Sequence, residues 1–186
     1  MSPEEEALAA VVRTLDLLAI PYMVTGSVAS SYHGRPRATH DADIVIDPVP
    51  SQIEPLVHEL TSTGFYVELA TAKDALRRRA QFNAIETQHA CKIDFIVRKD
   101  RPFSREELSR RQRVDLESAV GVAMATPEDT ILSKLEWAQK GGDSEKQLGD
   151  ASGVLELNPG LDRAYVERWA AQLGVSDRWR DIATRR

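Results

Sequence analysis

The chain has 186 residues, 42% of them hydrophobic, enough for one compact core with a modest extension and too few for two domains of ordinary size. Its 24 basic and 29 acidic residues leave a net charge of -5, which excludes a blanket attraction to nucleic acid or anionic membrane and leaves room only for local basic patches. One cysteine, Cys91, excludes an intramolecular disulfide, and no apolar stretch approaches a membrane span. The opening MSPEEEALAA lacks the basic segment and apolar run of a signal peptide. The expectation is a soluble, cytoplasmic protein in which Cys91 is a small core residue.

In chain order, Leu8, Val11, Val12, Leu15 and Leu18 fall at helical spacing, so roughly residues 4 to 18 read as an amphipathic helix stopped near Pro21. YMVTG reads as a buried strand. The small residues Ser27 to His33 form a short segment broken by Gly34 and Pro36, and DADIVID is a second strand. Ile53, Leu56, Val57 and Leu60 mark a helix that Gly64 ends before a strand at FYVEL. Two further strands are expected, around Phe82 to Glu86 and at KIDFIV. The alternation is that of an α/β sheet, and the fold class expected of the chain is α/β with a mixed sheet flanked by helices.

Composition shifts after about Ala125, and the remainder reads as all helical. Thr126, Pro127 and Asp129 form an N-terminal capping pattern ahead of ILSKLEWA, and Ser144 with Gln147 repeats it before LGDASGVLEL. Leu161, Tyr165, Val166, Trp169 and Leu173 mark another helix. Gly141 and Gly142 read as a turn, and Trp137, Trp169 and Trp179 as fillers of the helical core, with Trp137 also a candidate border of a ligand pocket. The expected organisation is a core over residues 1–125 and a helical extension over 126–186.

The acids of DADIVID raise the functional question. Side chains alternate across a strand, so Asp41 and Asp43 share one face while Ala42, Ile44 and Ile46 cover the other. Two like charges this close repel, and a divalent cation is the simplest means of keeping both ionised. Oxygen-only ligands favour Mg²⁺ or Mn²⁺. Asp94 repeats the anomaly inside KIDFIV, and a neighbouring strand would bring it beside the pair. Gly26 and Ser27 follow a strand and open a short helix, where backbone N–H groups and a hydroxyl can meet phosphate oxygens. A lone D-x-D is also what a solvated strand edge contains, and a lone Gly-Ser is also a plain turn; the order strand, Gly-Ser, short helix, D-x-D strand, later Asp is far more specific.

That order, carried by Gly26, Ser27, Asp41, Asp43 and Asp94, resembles the minimal nucleotidyltransferases of the DNA polymerase β-like superfamily. The stretch VTGSVASSYHGRPRATHDADIVI is similar to AbiEii-type and related bacterial nucleotidyltransferases, several of which are toxins of toxin–antitoxin pairs, and the tail TPEDTILSKLEWAQKGGDSEKQLGDASGVLEL is similar to the helical extension of such proteins. The resemblance implies a nucleoside triphosphate (NTP) as co-substrate, Mg²⁺ or Mn²⁺ held by Asp41, Asp43 and Asp94, and Asp94 as the residue that receives or orients the acceptor hydroxyl. It also implies that Lys134 contacts the triphosphate and that Asp150 is a recurrent acid of the extension.

Other residues admit more than one reading. Lys134 emerges beside the apolar stripe of its helix, so the alternative to a triphosphate contact is an ammonium snorkelling to water. Asp150 would orient Lys134 or lie on the surface. Arg37, and less so Arg35, suits phosphate by its planar fork. Arg77, Arg78 and Arg79, and Arg110, Arg111 and Arg113, form either a basic lip for RNA or solvated faces. His33, His40, His58 and His89 show no zinc-ligand spacing, and His40 either tunes the site or caps its strand. Three functions follow: transfer of a nucleotide to RNA or protein, as by a toxin with an antitoxin partner; transfer to a small hydroxylated compound; or a non-catalytic binding module, against which the buried charge argues.

Overall fold

The computed structural model describes residues 2–39, 41–116, 121–141 and 144–184, with only the backbone of Ser144. His40, Gly142 and the capping side chain expected of Ser144 lie outside the described residues. The chain divides into two compact units, one of Met1–Val24 with Thr39–Met124, the other of Thr25–Ala38 with Ala125–Arg186. Among the described residues no helix is long and apolar enough to cross a membrane.

The first unit is built on a seven-stranded mixed sheet, which agrees with the expected α/β class. Its strands are β1 (Tyr22–Thr25), β2 (Asp41–Ile46), β3 (Phe65–Tyr66), β4 (Gln81–Glu86), β5 (Lys92–Val97), β6 (Gln112–Asp115) and β7 (Gly121–Met124). They lie in the order β3-β4-β5-β2-β1-β7-β6. β2 runs parallel to β5 and β1 to β7, while β3/β4, β4/β5 and β6/β7 are antiparallel. The register sets Ala42 against Ile93, Ile44 against Phe95 and Ile46 against Val97, and all six side chains are buried. Helices α1 (Pro3–Leu17) and α3 (Ile53–Ser62) belong to this side: α1 packs on β2, β5 and α3. Each fully buried Ile or Phe contributes about 1.5–3 kcal/mol, so this face fixes the strand register and leaves the other face free to carry charge.

α1 begins with a capping box in which the Glu5 N–H donates to Ser2 Oγ and the Ser2 N–H to Glu5 Oε2. The structure departs from the sequence expectation after Tyr66. FYVEL is extended only at Phe65–Tyr66, and a helix not anticipated, α4 (Leu69–Arg78), follows. Its run ATAKDALRR is rich in strong helix formers (Ala, Leu, Lys and Arg), which outweighs the short apolar cue. It buries only Ala72 and Ala75 and ends with Arg79 in the left-handed region at φ 49°. α5 (Pro102–Arg110) and the β6/β7 pair also had no expected counterpart. Cys91 is buried, as expected of a core residue.

The second unit is helical, with α2 (Gly26–His33), α6 (Pro127–Gln139), α7 (Ser144–Leu157), α8 (Arg163–Leu173) and α9 (Ser176–Thr184). α2 packs on α6 and α7, α6 on α7 and α8, and α9 on α7 and α8. Thr126 caps α6 as expected, its Oγ1 accepting from the Asp129 N–H, and Pro127 occupies the first turn. Asp129 is fully buried because Thr126 Oγ1 and the Tyr165 hydroxyl both donate to its carboxylate, at 2.8 and 2.6 Å. Trp169 and Trp179 fill the helical core. Trp137 does not: it is 49% exposed and lies beside the Lys140 ammonium, because it projects from α6 away from the stripe of Ile131, Leu135 and Ala138.

At the end of α2 the backbone passes very close to α7. A Cβ on Gly34 would stand 2.8 Å from both the Ser30 carbonyl oxygen and the Val154 nitrogen. Both are backbone atoms, with no flexible side chain to yield. Gly34→Ala is therefore expected to destabilise the protein by about 1–3 kcal/mol, read as a lower urea midpoint with unchanged slope.

Candidate active site

Two clusters of charge, one in each unit, contain most of the residues singled out in the sequence. In the first unit the parallel register of β2 and β5 sets Asp43 directly against Asp94 and Asp41 against Lys92. Cα atoms paired this way stand about 4.8 Å apart, and paired residues share a face, so Asp41, Asp43, Lys92 and Asp94 project together from the side opposite Ile44 and Phe95. On the other flank of β5, Asn83 of β4 is the register partner of Asp94. The face thus carries three carboxylates, an amide and an ammonium. Thr39 Oγ1 donates to Asp41 Oδ1 at 3.1 Å.

Lys92 was not anticipated, and it dominates the electrostatics here. Its Nζ donates to Asp94 Oδ2 at 2.8 Å. Its pKa is raised, chiefly by that hydrogen bond; burial opposes the rise and the charges of Asp94, Asp41 and Asp43 add to it. Strand alternation offered the signal, since in KID the lysine and the aspartate stand two apart and must share a face. Among the described residues no three His, Cys, Asp or Glu side chains stand converged as ligands around one point; Asp94 is turned to Lys92 instead. The donor set nevertheless suits a hard divalent ion: carboxylate oxygens from adjacent strands, in a field negative enough to hold an ammonium.

In the second unit, Gly26 opens α2 at φ +63°, in the left-handed region that glycine enters without strain. Ser27 follows, and its Oγ accepts from Arg37 Nη2 at 2.7 Å. Arg37 also grips Asp150 with both arms of its fork, Nε to Oδ1 and Nη2 to Oδ2, each at 3.1 Å. Lys134 Nζ lies 2.8 Å from Asp150 Oδ2, and Ser30 Oγ donates to the same oxygen at 3.2 Å. The Lys134 side chain is 5% exposed, so its ammonium does not snorkel to water. Asp150 is no surface residue either; it is the hub on which Arg37, Lys134 and Ser30 converge. Burial pushes its carboxyl up, but hydrogen bonds and charge from Arg37 and Lys134 outweigh that and hold it below the ordinary carboxylate range.

The structure thus joins Ser27, Arg37, Lys134 and Asp150 in one network, next in sequence to Gly26, and joins Asp41, Asp43 and Asp94 on one strand face. Arg35 is outside the network, exposed and paired with Glu156. The arginine runs are largely engaged: Arg77 and Arg78 share Asp74, Arg79 reaches the Arg98 carbonyl, and Arg113 faces Asp16 at 3.4 Å.

No protein-family model and no curated protein matches the chain. Solved structures do. ANT(2'')-Ia in complex with adenylyl-2''-tobramycin superposes with a TM-score of 0.62 at 14% identity, covering 92% of this chain and 97% of that one. The solution structure of the same antibiotic-resistance factor gives 0.55, again at 14%, covering 90% and 93%. An antigenic nucleotidyltransferase-like protein from Paracoccidioides brasiliensis gives 0.56 at 17%, covering 84% and 78%. At these identities the likeness is one of fold, and the fold of this chain is that of nucleotidyltransferases.

Proposed function

We propose that this protein is a divalent-metal-dependent nucleotidyltransferase that moves a nucleoside monophosphate from an NTP to an acceptor hydroxyl and releases pyrophosphate. The observation that carries the reading is the register of β2 and β5, which sets Asp43 against Asp94 with Asp41 on the same face. The nucleotidyltransferase fold supports it. Residues 1–125 are assigned as the core and 126–186 as the helical extension.

Asp41, Asp43 and Asp94 would hold the ion. Once bound, Mg²⁺ or Mn²⁺ supplies charge neutralisation for the triphosphate and the leaving pyrophosphate. Asp94 receives the acceptor proton as the hydroxyl oxygen bonds to the α-phosphorus and the bond from that phosphorus to the bridging oxygen breaks. Arg37 and Lys134 offer positive charge to the triphosphate, with Asp150 holding both in place. The Ser27 hydroxyl and the N–H groups opening α2 offer hydrogen bonds to phosphate oxygens.

The acceptor assigned first is RNA or protein, and the sequence resemblance to AbiEii-type proteins supports a cytoplasmic toxin with an antitoxin partner. A second reading, a small hydroxylated acceptor, draws support from the match to ANT(2'')-Ia over 97% of that chain, in a complex with adenylyl-2''-tobramycin. The test is transfer from each α-³²P NTP with Mg²⁺ into a cell lysate, separated into RNA, protein and small-molecule fractions. Label in RNA or protein, absent with Asp43→Asn, is expected; label only in small molecules selects the second reading. No transfer by folded protein rejects both and favours a binding module.

A further inference from the structure

Lys92 stands where a cation is most wanted on this surface. Three carboxylates, Asp41, Asp43 and Asp94, share its strand face, and its Nζ lies 2.8 Å from Asp94 Oδ2. The Asp94 side chain is only 15% exposed, whereas Lys92 is 43% exposed on a flexible four-carbon stem. An ordinary surface ion pair holds two mobile groups in water and contributes little. Here one partner is fixed in a strand and flanked by two further negative charges, so the ammonium relieves a repulsion that the backbone cannot relax. A divalent ion on Asp94 Oδ2 would meet Lys92 at close range, and like charges there repel.

Resting on the metal-dependent reading above, we propose that Lys92 is a positioning residue, a tethered cation that holds Asp94 and balances the acidic face in the metal-free protein, and thereby competes with the divalent ion for that face. The lysine weakens metal binding and stabilises the protein before the metal arrives. The ammonium would have to leave Asp94 Oδ2 before that oxygen could hold an ion.

Mn²⁺ binding without nucleotide, followed by electron paramagnetic resonance, and thermal melting in EDTA test this on wild type, Lys92→Met, Lys92→Arg and Asp43→Asn, each confirmed folded by circular dichroism. Lys92→Met is expected to bind Mn²⁺ about tenfold more tightly and to melt at a lower temperature in EDTA, while Lys92→Arg, which keeps the charge, stays close to wild type on both. Equal or weaker Mn²⁺ binding by Lys92→Met, with binding still lost in Asp43→Asn, overturns the role of Lys92 and leaves the metal reading intact. Mn²⁺ binding that Asp43→Asn does not change removes the metal reading, and the proposal with it.

Discussion

Asp43→Asn is expected to lower nucleotidyl transfer by about a thousandfold or more, because several kcal/mol of transition-state charge stabilisation depends on the ion that this carboxylate would hold. The amide is close to isosteric, so packing around Ala42 and Ile44 is undisturbed. Stability should not fall with activity. Asp43 faces Asp94 across the β2/β5 register, and removing one of two opposed carboxylates relieves repulsion. The melting temperature in EDTA is therefore expected to equal or exceed that of wild type. The variant thus separates chemistry from fold: full turnover would remove Asp43 from the mechanism, and a large loss of stability would reveal a structural role for its side chain.

Asp150→Ala is expected to have the opposite profile, with a large effect on stability. The Asp150 side chain is 10% exposed and that of Lys134 is 5% exposed, so removing the carboxylate strands an ammonium in a poorly hydrated place and releases both arms of Arg37. Breaking a buried pair from one side costs about 3–5 kcal/mol. The combined variant Asp150→Leu with Lys134→Met should lose less stability than the two single changes added together, since it leaves no stranded ammonium. Acid titration should show the same pairing. The Asp150 carboxyl is held below its ordinary value, so its stabilisation is complete above the unfolded-state pKa and is lost as pH falls through the folded value. Chemical denaturation of both variants across that pH window checks the sign and the size.

The shared face of the three acids was more legible than the helices. A charge at alternate positions in an apolar strand conflicts with burial, and such a conflict is visible in one line of sequence, hence Asp41, Asp43 and Asp94. Lys92 obeys the same alternation, but a lysine near a strand end reads as solvated. The Asp150 hub could not be read locally: its partner Arg37 is 113 residues away, and nothing in QLGDASGVL distinguishes an acid that receives two cations from one facing water. α4 was missed for a different reason. Its burial rests on two alanines, too little apolar surface for periodicity to register, so propensity alone announced it. Trp137 shows the limit of the rule that large aromatics fill cores, since helix phase placed it outside.

The most direct test compares two labels on one substrate. The protein is incubated with Mg²⁺, a lysate and each NTP carrying ³²P at either the α or the γ phosphate. The expected result is α label retained in the acceptor, γ label released as pyrophosphate, and neither event with Asp43→Asn. Transfer of γ label to the acceptor, or failure of the folded protein to transfer α label from any nucleotide, would contradict nucleotidyl transfer at this strand face.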